Sequence, residues 1–188
     1  HGPNSLGLLN LTDGVPLVFW SGWLTREPPG NVALVAQSGG AAVGVVKSTE
    51  RARFSKIIAS GNEWGVTSAD YLAWLAQDSS TEAVGIVLES IADADRFADA
   101  VSLLREAGTP LVVLKVGRSA GGAALAAAHT AGLIGQAEGY TAFFDELDVP
   151  VVRDYDELSA ALDAFSAVRS RRPRRTGVAV ITESGGIA

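Results

Sequence analysis

Four short runs made almost wholly of Val, Ile, Leu and Ala recur along this chain, and longer stretches of helical periodicity separate them. The runs are Asn31–Gln37 (NVALVAQ), Ser55–Ser60 (SKIIAS), Ala83–Leu88 (AVGIVL) and Leu111–Val116 (LVVLKV). Such segments have no polar face to turn toward water. They read as strands covered on both sides. A helix is expected from about Gly40 to Arg51. Ser68 can cap a second one through about Gln77, with Tyr71, Leu72 and Leu75 on its inner side. Asp93 to Ala107 places Phe97, Val101 and Leu104 on one side, and Gly108 stops it. A short strand, Val149–Val152, divides two further helical stretches, Gln136–Leu147 and Asp156–Val168. Strands joined by crossover helices pair in parallel. The expected fold class is therefore α/β: a doubly wound, mainly parallel sheet of flavodoxin-like or Rossmann-like type. Ligands in such sheets bind beyond the carboxyl ends of the strands, so the chemistry is sought there.

The flanks differ from this body. Residues 1–30 carry GPN, Trp20, Trp23 and PPG with little periodicity, and read as a connector into a domain spanning 31–168. Residues 169–176 hold Arg169, Arg171, Arg172, Arg174 and Arg175 around Pro173, the composition of a solvated linker. Gly177–Thr182 (GVAVIT) then reads as one more buried strand, the start of a second domain over 177–188. An internal echo supports this division. Val32–Gly40 (VALVAQSGG) and Val178–Gly186 (VAVITESGG) are each a buried strand ending in Ser-Gly-Gly, about one domain length apart. A duplicated domain, its second copy cut short, accounts for the echo.

Composition narrows the chemistry. Hydrophobic residues make up 47% of the 188 and charged residues 19%, enough for a sizeable core. There is no Met, so the sequence is expected to be a piece of a longer or processed product. There is no Cys, which removes disulfides, thiolate zinc sites and thiol nucleophiles and fits a reducing compartment. No metal site is expected. No apolar stretch approaches the roughly 20 residues of a membrane span, so no membrane is involved and a cytoplasmic setting is expected. Net charge is −6, and five of the basic residues sit in the linker, leaving an acidic body with no nucleic-acid partner.

Three features could carry chemistry. Ser38, Gly39 and Gly40 stand where a strand turns into a helix, as do Ser184, Gly185 and Gly186. Free amides and the positive end of the helix dipole accept a phosphate at such a place, although a tight turn needs glycine anyway. His129 is the only internal histidine and lies in the Gly/Ala-rich stretch Gly117–Gly135. It offers a neutral ring nitrogen near neutral pH, or else simply hydrogen-bonds within a helix–loop junction. Glu89 follows directly on a buried strand. It could orient an imidazole by accepting its second N–H, or serve as a cap or solvated acid.

Taken in order, these segments resemble the nucleoside-diphosphate-forming acyl-CoA synthetases, the family that includes the succinyl-CoA synthetase α subunit. GPNSLGLLN (Gly2–Asn10) looks like the exit from that family's CoA-binding domain. GNVALVAQSGG (Gly30–Gly40) is similar to its first phosphate-binding strand and turn. FSKIIASGNE (Phe54–Glu63) and Ala69–Asp78 resemble the next unit. VLESI (Val87–Ile91) looks like the segment bearing the acid that supports the active-site His. LVVLKVGRSAGGAALAAAHTAGLIG (Leu111–Gly135) resembles the phosphohistidine loop and its approach. VAVITESGG looks like the start of a second flavodoxin-like domain.

The resemblance implies a succinyl-CoA synthetase-like flavodoxin domain in which His129 carries a phosphoryl group and Glu89 orients it. Ser38, Gly39 and Gly40, with Ser184, Gly185 and Gly186, would bind phosphate. CoA and ATP or GTP with Mg would be held mostly by a CoA-binding domain and an ATP-grasp domain or subunit, in an oligomeric intact protein. The chain alone is then expected to be inactive. One departure stands out: Ala128 and Ala131 flank His129–Thr130, where the family usually has Ser before and Gly after. Protein acyltransferase relatives keep the architecture with altered or lost synthetase chemistry. A non-catalytic regulatory or CoA-related domain of that kind is the alternative function. An unrelated flavin- or phosphate-binding module would show a Ser/Thr-rich phosphate loop, which is absent.

Overall fold

A computed structural model describes residues 1–18, 28–117 and 137–167. Strands β1 (Gly7–Asn10), β2 (Val15–Val18) and β3 (Val32–Ala36) are followed by helix α1 (Gly39–Ser48). Then come β4 (Phe54–Ala59), α2 (Ser68–Leu75), β5 (Ala83–Leu88), α3 (Ala94–Ala107) and β6 (Leu111–Lys115). The described part ends with α4 (Ala137–Glu146), β7 (Val151–Val152) and α5 (Tyr155–Ala167). The strands form one seven-stranded sheet in the order β2-β1-β4-β3-β5-β6-β7.

From β4 to β7 every pairing is parallel, as the apolar runs require. All residues of β3, β4, β5 and β6 are buried. Helices α2, α3 and α4 cover one face of the sheet through Leu72, Leu75, Phe97, Leu104 and Phe144. Helices α1 and α5 cover the other through Val45, Leu158 and Leu162. Burying each such side chain contributes about 1.5–3 kcal/mol, which is why a helix is held on each face. The parallel part is therefore a doubly wound α/β unit. The chain leaves β3 for β4 on one side and returns to β5 on the other, so the topological switch lies between β3 and β5.

Two local expectations need correction. The first 18 residues do more than connect. Gly7–Asn10 and Val15–Val18 form an antiparallel hairpin, and β1 pairs antiparallel with β4 at the sheet's edge. Ser68 does not cap α2. Thr67 does, and the Asp70 carboxylate accepts its amide and its hydroxyl, both at 2.8 Å. The Ser68 hydroxyl instead donates to buried Glu63. Elsewhere the ends shift by a few residues. Asp93 caps α3, and Gly108 closes it at φ +75°, a conformation glycine adopts without penalty.

The polar residues inside the sheet have built partners. Lys56, only 2% exposed, projects from β4 and pairs with Asp78 at 2.6 Å. Its ammonium also donates to Ser80 at 2.6 Å and stands 5.8 Å from the Trp74 ring centre. Thr81 donates to Asp78 at 2.6 Å and shares a hydrogen bond with buried Ser55 at 2.7 Å. This knot ties the loop before β5 to the middle of β4.

Candidate functional site

The carboxyl ends of β3, β4 and β5 open onto a cavity of about 320 Å³. Ser38, Gly39 and Gly40 line it from the end of β3, and Glu89 lines it from the end of β5. Gly61 and Asn62 follow β4, and Asn4, Ser5 and Leu6 close it from the N-terminal segment. The cavity thus stands at the switch between β3 and β5, where a doubly wound sheet places its ligand.

Ser38 is the N-cap of α1, and its hydroxyl accepts the Ala41 amide at 3.3 Å. Its carbonyl accepts the Ala42 amide at 3.1 Å. The first amides of a helix have no intrahelical acceptor, so those of Gly39 and Gly40 are the ones left at the cavity end. This fits an anionic oxygen: small residues, two amides, a hydroxyl and the positive end of a helix. Gly39 also has a packing reason. A Cβ there would stand 2.3 Å from Cγ of Leu6, so the N-terminal segment can lie over α1 only if residue 39 is glycine.

Glu89 is half-buried, and its backbone is held from several sides. The Gln37 side-chain oxygen accepts the amides of Glu89 at 2.6 Å and Ser90 at 3.0 Å. The Gln37 side-chain nitrogen donates to the Ser90 carbonyl at 2.8 Å. The Lys115 ammonium donates to the Glu89 carbonyl at 2.8 Å and to the Val116 carbonyl at 2.6 Å. Tyr155, the first residue of α5, feels Glu89 electrostatically. Burial first, and then the nearby Glu89 charge, push its phenol above the ordinary range.

Of the residues singled out in the sequence, Ser38, Gly39, Gly40 and Glu89 meet at this one cavity. His129, Ala128, Ala131, Ser184, Gly185, Gly186 and the Arg-rich linker lie outside the described residues. Sequence reasoning passed over Gln37, Lys115, Asn4, Ser5 and Asn62. A Gln closing VALVAQ and a Lys near the end of LVVLKV were the available signals. Both are polar residues at the carboxyl ends of otherwise apolar strands. His1 places its ring between the Tyr71 hydroxyl and the Ser5 hydroxyl, each at 2.5 Å.

A larger cavity, about 450 Å³, is bounded by Lys115, Gly117, Tyr140, Phe144 and Val149. Strand ends, a helix N-terminus and the Glu89 carboxylate converge at the smaller cavity.

Residues 29–165 match the family model described as a succinyl-CoA ligase like flavodoxin domain. The chain belongs to this family. The relatives of this succinyl-CoA ligase-like domain include the alpha subunit of an ADP-forming acetate–CoA ligase from Pyrococcus furiosus. That protein is 33% identical over 98% of this chain and 39% of its own length. An ADP-forming 4-hydroxybutyrate–CoA ligase from Nitrosopumilus maritimus is 30% identical over 100% of this chain and 27% of its own length. Among solved structures, acetyl-coenzyme A synthetase 1 of Candidatus Korarchaeum cryptofilum, in complex with phosphate and ADP, superposes with a TM-score of 0.74. It is 26% identical and covers 88% of this chain and 36% of that one. The domain thus spans well under half the length of these relatives. No helix among the described residues is long and apolar enough to cross a membrane.

Proposed function

We propose that this domain is the phosphohistidine-relay unit of an NDP-forming acyl-CoA synthetase, an enzyme that joins an acid to CoA while a nucleoside triphosphate becomes diphosphate and phosphate. The observation that carries the reading is convergence. Ser38–Gly40 from one strand end and Glu89 from its neighbour line the same cavity at the sheet's switch point. One supplies donors for phosphoryl oxygens, and the other supplies a carboxylate that can hold an imidazole in one tautomer.

In the direction that consumes acyl phosphate, a ring nitrogen of His129 attacks phosphorus. The bond from phosphorus to the acyl oxygen breaks, and the acid leaves as its carboxylate. The terminal oxygen of a nucleoside diphosphate then takes the phosphoryl group, and the phosphorus–nitrogen bond breaks. A covalent carrier suits two sites that do not touch. Ser184, Gly185 and Gly186 are proposed to bind phosphate in the same way as Ser38–Gly40. CoA, and ATP or GTP with Mg, are assigned to a CoA-binding unit and an ATP-grasp unit that work with this domain. The homology to an alpha subunit and the partial coverage of the relatives support such partners.

The test supplies the full-length parent protein with γ-labelled nucleotide and measures acid-labile phosphohistidine. Wild type should label, and His129→Asn should not. Equal labelling of the two would sink the relay. Ala128 and Ala131 beside His129 favour a second reading, a regulatory domain of the protein-acyltransferase type. Under that reading neither protein labels. The present chain alone is expected to give no net acyl-CoA synthesis.

A further inference from the structure

Residues 89–91 leave β5 and belong to neither a helix nor a strand. Their backbone polar groups would ordinarily be met by water or a turn. Here side chains from elsewhere in the fold meet them. Gln37, 8% exposed, satisfies the amides of Glu89 and Ser90 and the carbonyl of Ser90 with one carboxamide. Two amide donors facing one atom fix that atom as the oxygen, so the orientation of the carboxamide is determined. Lys115, 4% exposed, takes the Glu89 carbonyl from the other side, and its ammonium lies 4.5 Å from the centre of the Tyr140 ring. The Tyr140 hydroxyl in turn accepts the Ile91 amide at 3.3 Å. The main chain of Gln37 is fixed as well. Its amide donates to the Val87 carbonyl at 3.2 Å, and its carbonyl accepts the Gly61 amide at 3.1 Å.

We propose that Gln37 and Lys115, with Tyr140 behind them, form a clamp on the Glu89 backbone that aims its carboxylate. They are positioning residues for the phosphoryl transfer, acting through Glu89 and not on the phosphoryl group. The inference rests on the role given to Glu89 above. A strand end alone leaves the following side chain free to swing. A carboxylate that orients an imidazole must be held to within about half an ångström, which calls for a locked backbone beneath it. The clamp draws on β3 and β6, the neighbours of β5 on either side, so the register of three parallel strands sets the direction of one carboxylate.

The experiment follows the rate of phosphohistidine labelling in the full-length parent, with the nucleotide concentration that half-saturates it as a second readout. Glu89→Gln should slow labelling by about 100-fold or more, the effect of losing an orienting carboxylate. Gln37→Met keeps side-chain length and removes all three bonds. It should slow labelling by about 10–100-fold with half-saturation unchanged. On the Glu89→Gln background, Gln37→Met should cost less than about threefold more, because both act through one group. An equal loss on both backgrounds would mean that Gln37 only supports the fold, and would overturn the clamp. So would a normal rate in Gln37→Met beside a slow Glu89→Gln, which leaves the reading of Glu89 standing. A normal rate in Glu89→Gln removes that reading and the clamp with it. If Gln37→Met does not fold, Lys115→Met takes its place. Labelling should slow by about tenfold or more and recover in part with Lys115→Arg, which keeps the donors. Equal rates in the two Lys115 variants would overturn the proposal.

Discussion

Lys56 and Lys115 are both buried inside the sheet, at 2% and 4% exposure, yet they serve opposite ends of it. Lys56 reaches toward the loop that enters β5, where Asp78, Ser80 and the Trp74 ring surround it. A carboxylate answers its charge, and that carboxylate is itself bound by Thr81 and Ser80. Lys115 lies at the carboxyl end of its strand and donates to the main-chain carbonyls of Glu89 and of its own neighbour Val116. One buried cation closes a knot that joins elements of the fold. The other presses on the backbone beneath a candidate catalytic group. Burial alone does not separate these roles; the identity of the acceptors and the end of the strand do.

The largest expected effect tests that division. Lys56→Met leaves the partly buried Asp78 carboxylate without its cation but with its Ser80 and Thr81 hydrogen bonds, which should cost about 2–3 kcal/mol. Urea unfolding should show the loss, while phosphohistidine labelling per folded molecule of the full-length protein stays at the parent rate. A Lys56→Met protein that is stable to within about 1 kcal/mol, or that folds but labels slowly, would break the comparison.

The same knot should show in acid. Burial pushes the Asp78 carboxyl up, but Lys56, Thr81 and Ser80 pull it further down, from 3.8 to about 2. A carboxyl lowered in the folded state contributes stability while ionised. The contribution is fully present above pH about 4 and is lost as pH falls through about 2. Because Asp78 keeps some contact with water, the contribution amounts to at most about 2 kcal/mol. Two other carboxyls shift the same way. The Thr67 amide lowers Asp70, and the amides of Ala52, Arg51 and Glu50 lower Asp163 against its burial. The diagnostic is therefore a difference. Between roughly pH 4 and 2, Lys56→Met should lose less stability than the parent. Parallel curves would remove Lys56 from the account.

The end of the sheet that holds Lys115 was legible from sequence only in part. Runs such as Val32–Ala36 and Ala83–Leu88 announced themselves because strands buried on both faces need unbroken apolar residues. Ser38–Gly40 was legible because small residues at a strand-to-helix turn have a chemical use as well as a steric one. Glu89 was legible because an acid follows directly on a buried strand. The hairpin of β1 and β2 was not. Its strands are four residues each, one contains Pro16, and much of β2 is exposed, so no periodicity can build up. Its pairing is decided by the free edge of β4, which is remote in sequence. Gln37 and Lys115 escaped for a similar reason. A polar residue at the end of an apolar run has no partner in its own segment, and only the strand order brings β3 and β6 to the two sides of β5.

The smallest expected effects separate two neighbouring glycines at the site. A Cβ on Gly39 would lie 2.3 Å from Cγ of Leu6 and 3.1 Å from its Cβ, atoms near the main chain that cannot swing aside cheaply. Gly39→Ala should therefore cost about 1–3 kcal/mol as overpacking and lift the N-terminal segment from α1. Because Asn4, Ser5 and Leu6 form one wall of the cavity, labelling should become weaker as well. A Cβ on Gly40 meets only the Ser38 hydroxyl at 3.7 Å, an ordinary contact. Gly40→Ala should stay within about 0.5 kcal/mol of the parent and leave the wall in place. Both substitutions keep the backbone amide that a phosphoryl oxygen would use. A deep loss of labelling in Gly40→Ala with unchanged stability would show that the ligand itself approaches residue 40 closely. Equal stability in the two variants would show that Leu6 yields, and that glycine at residue 39 answers to the ligand and not to the N-terminal segment.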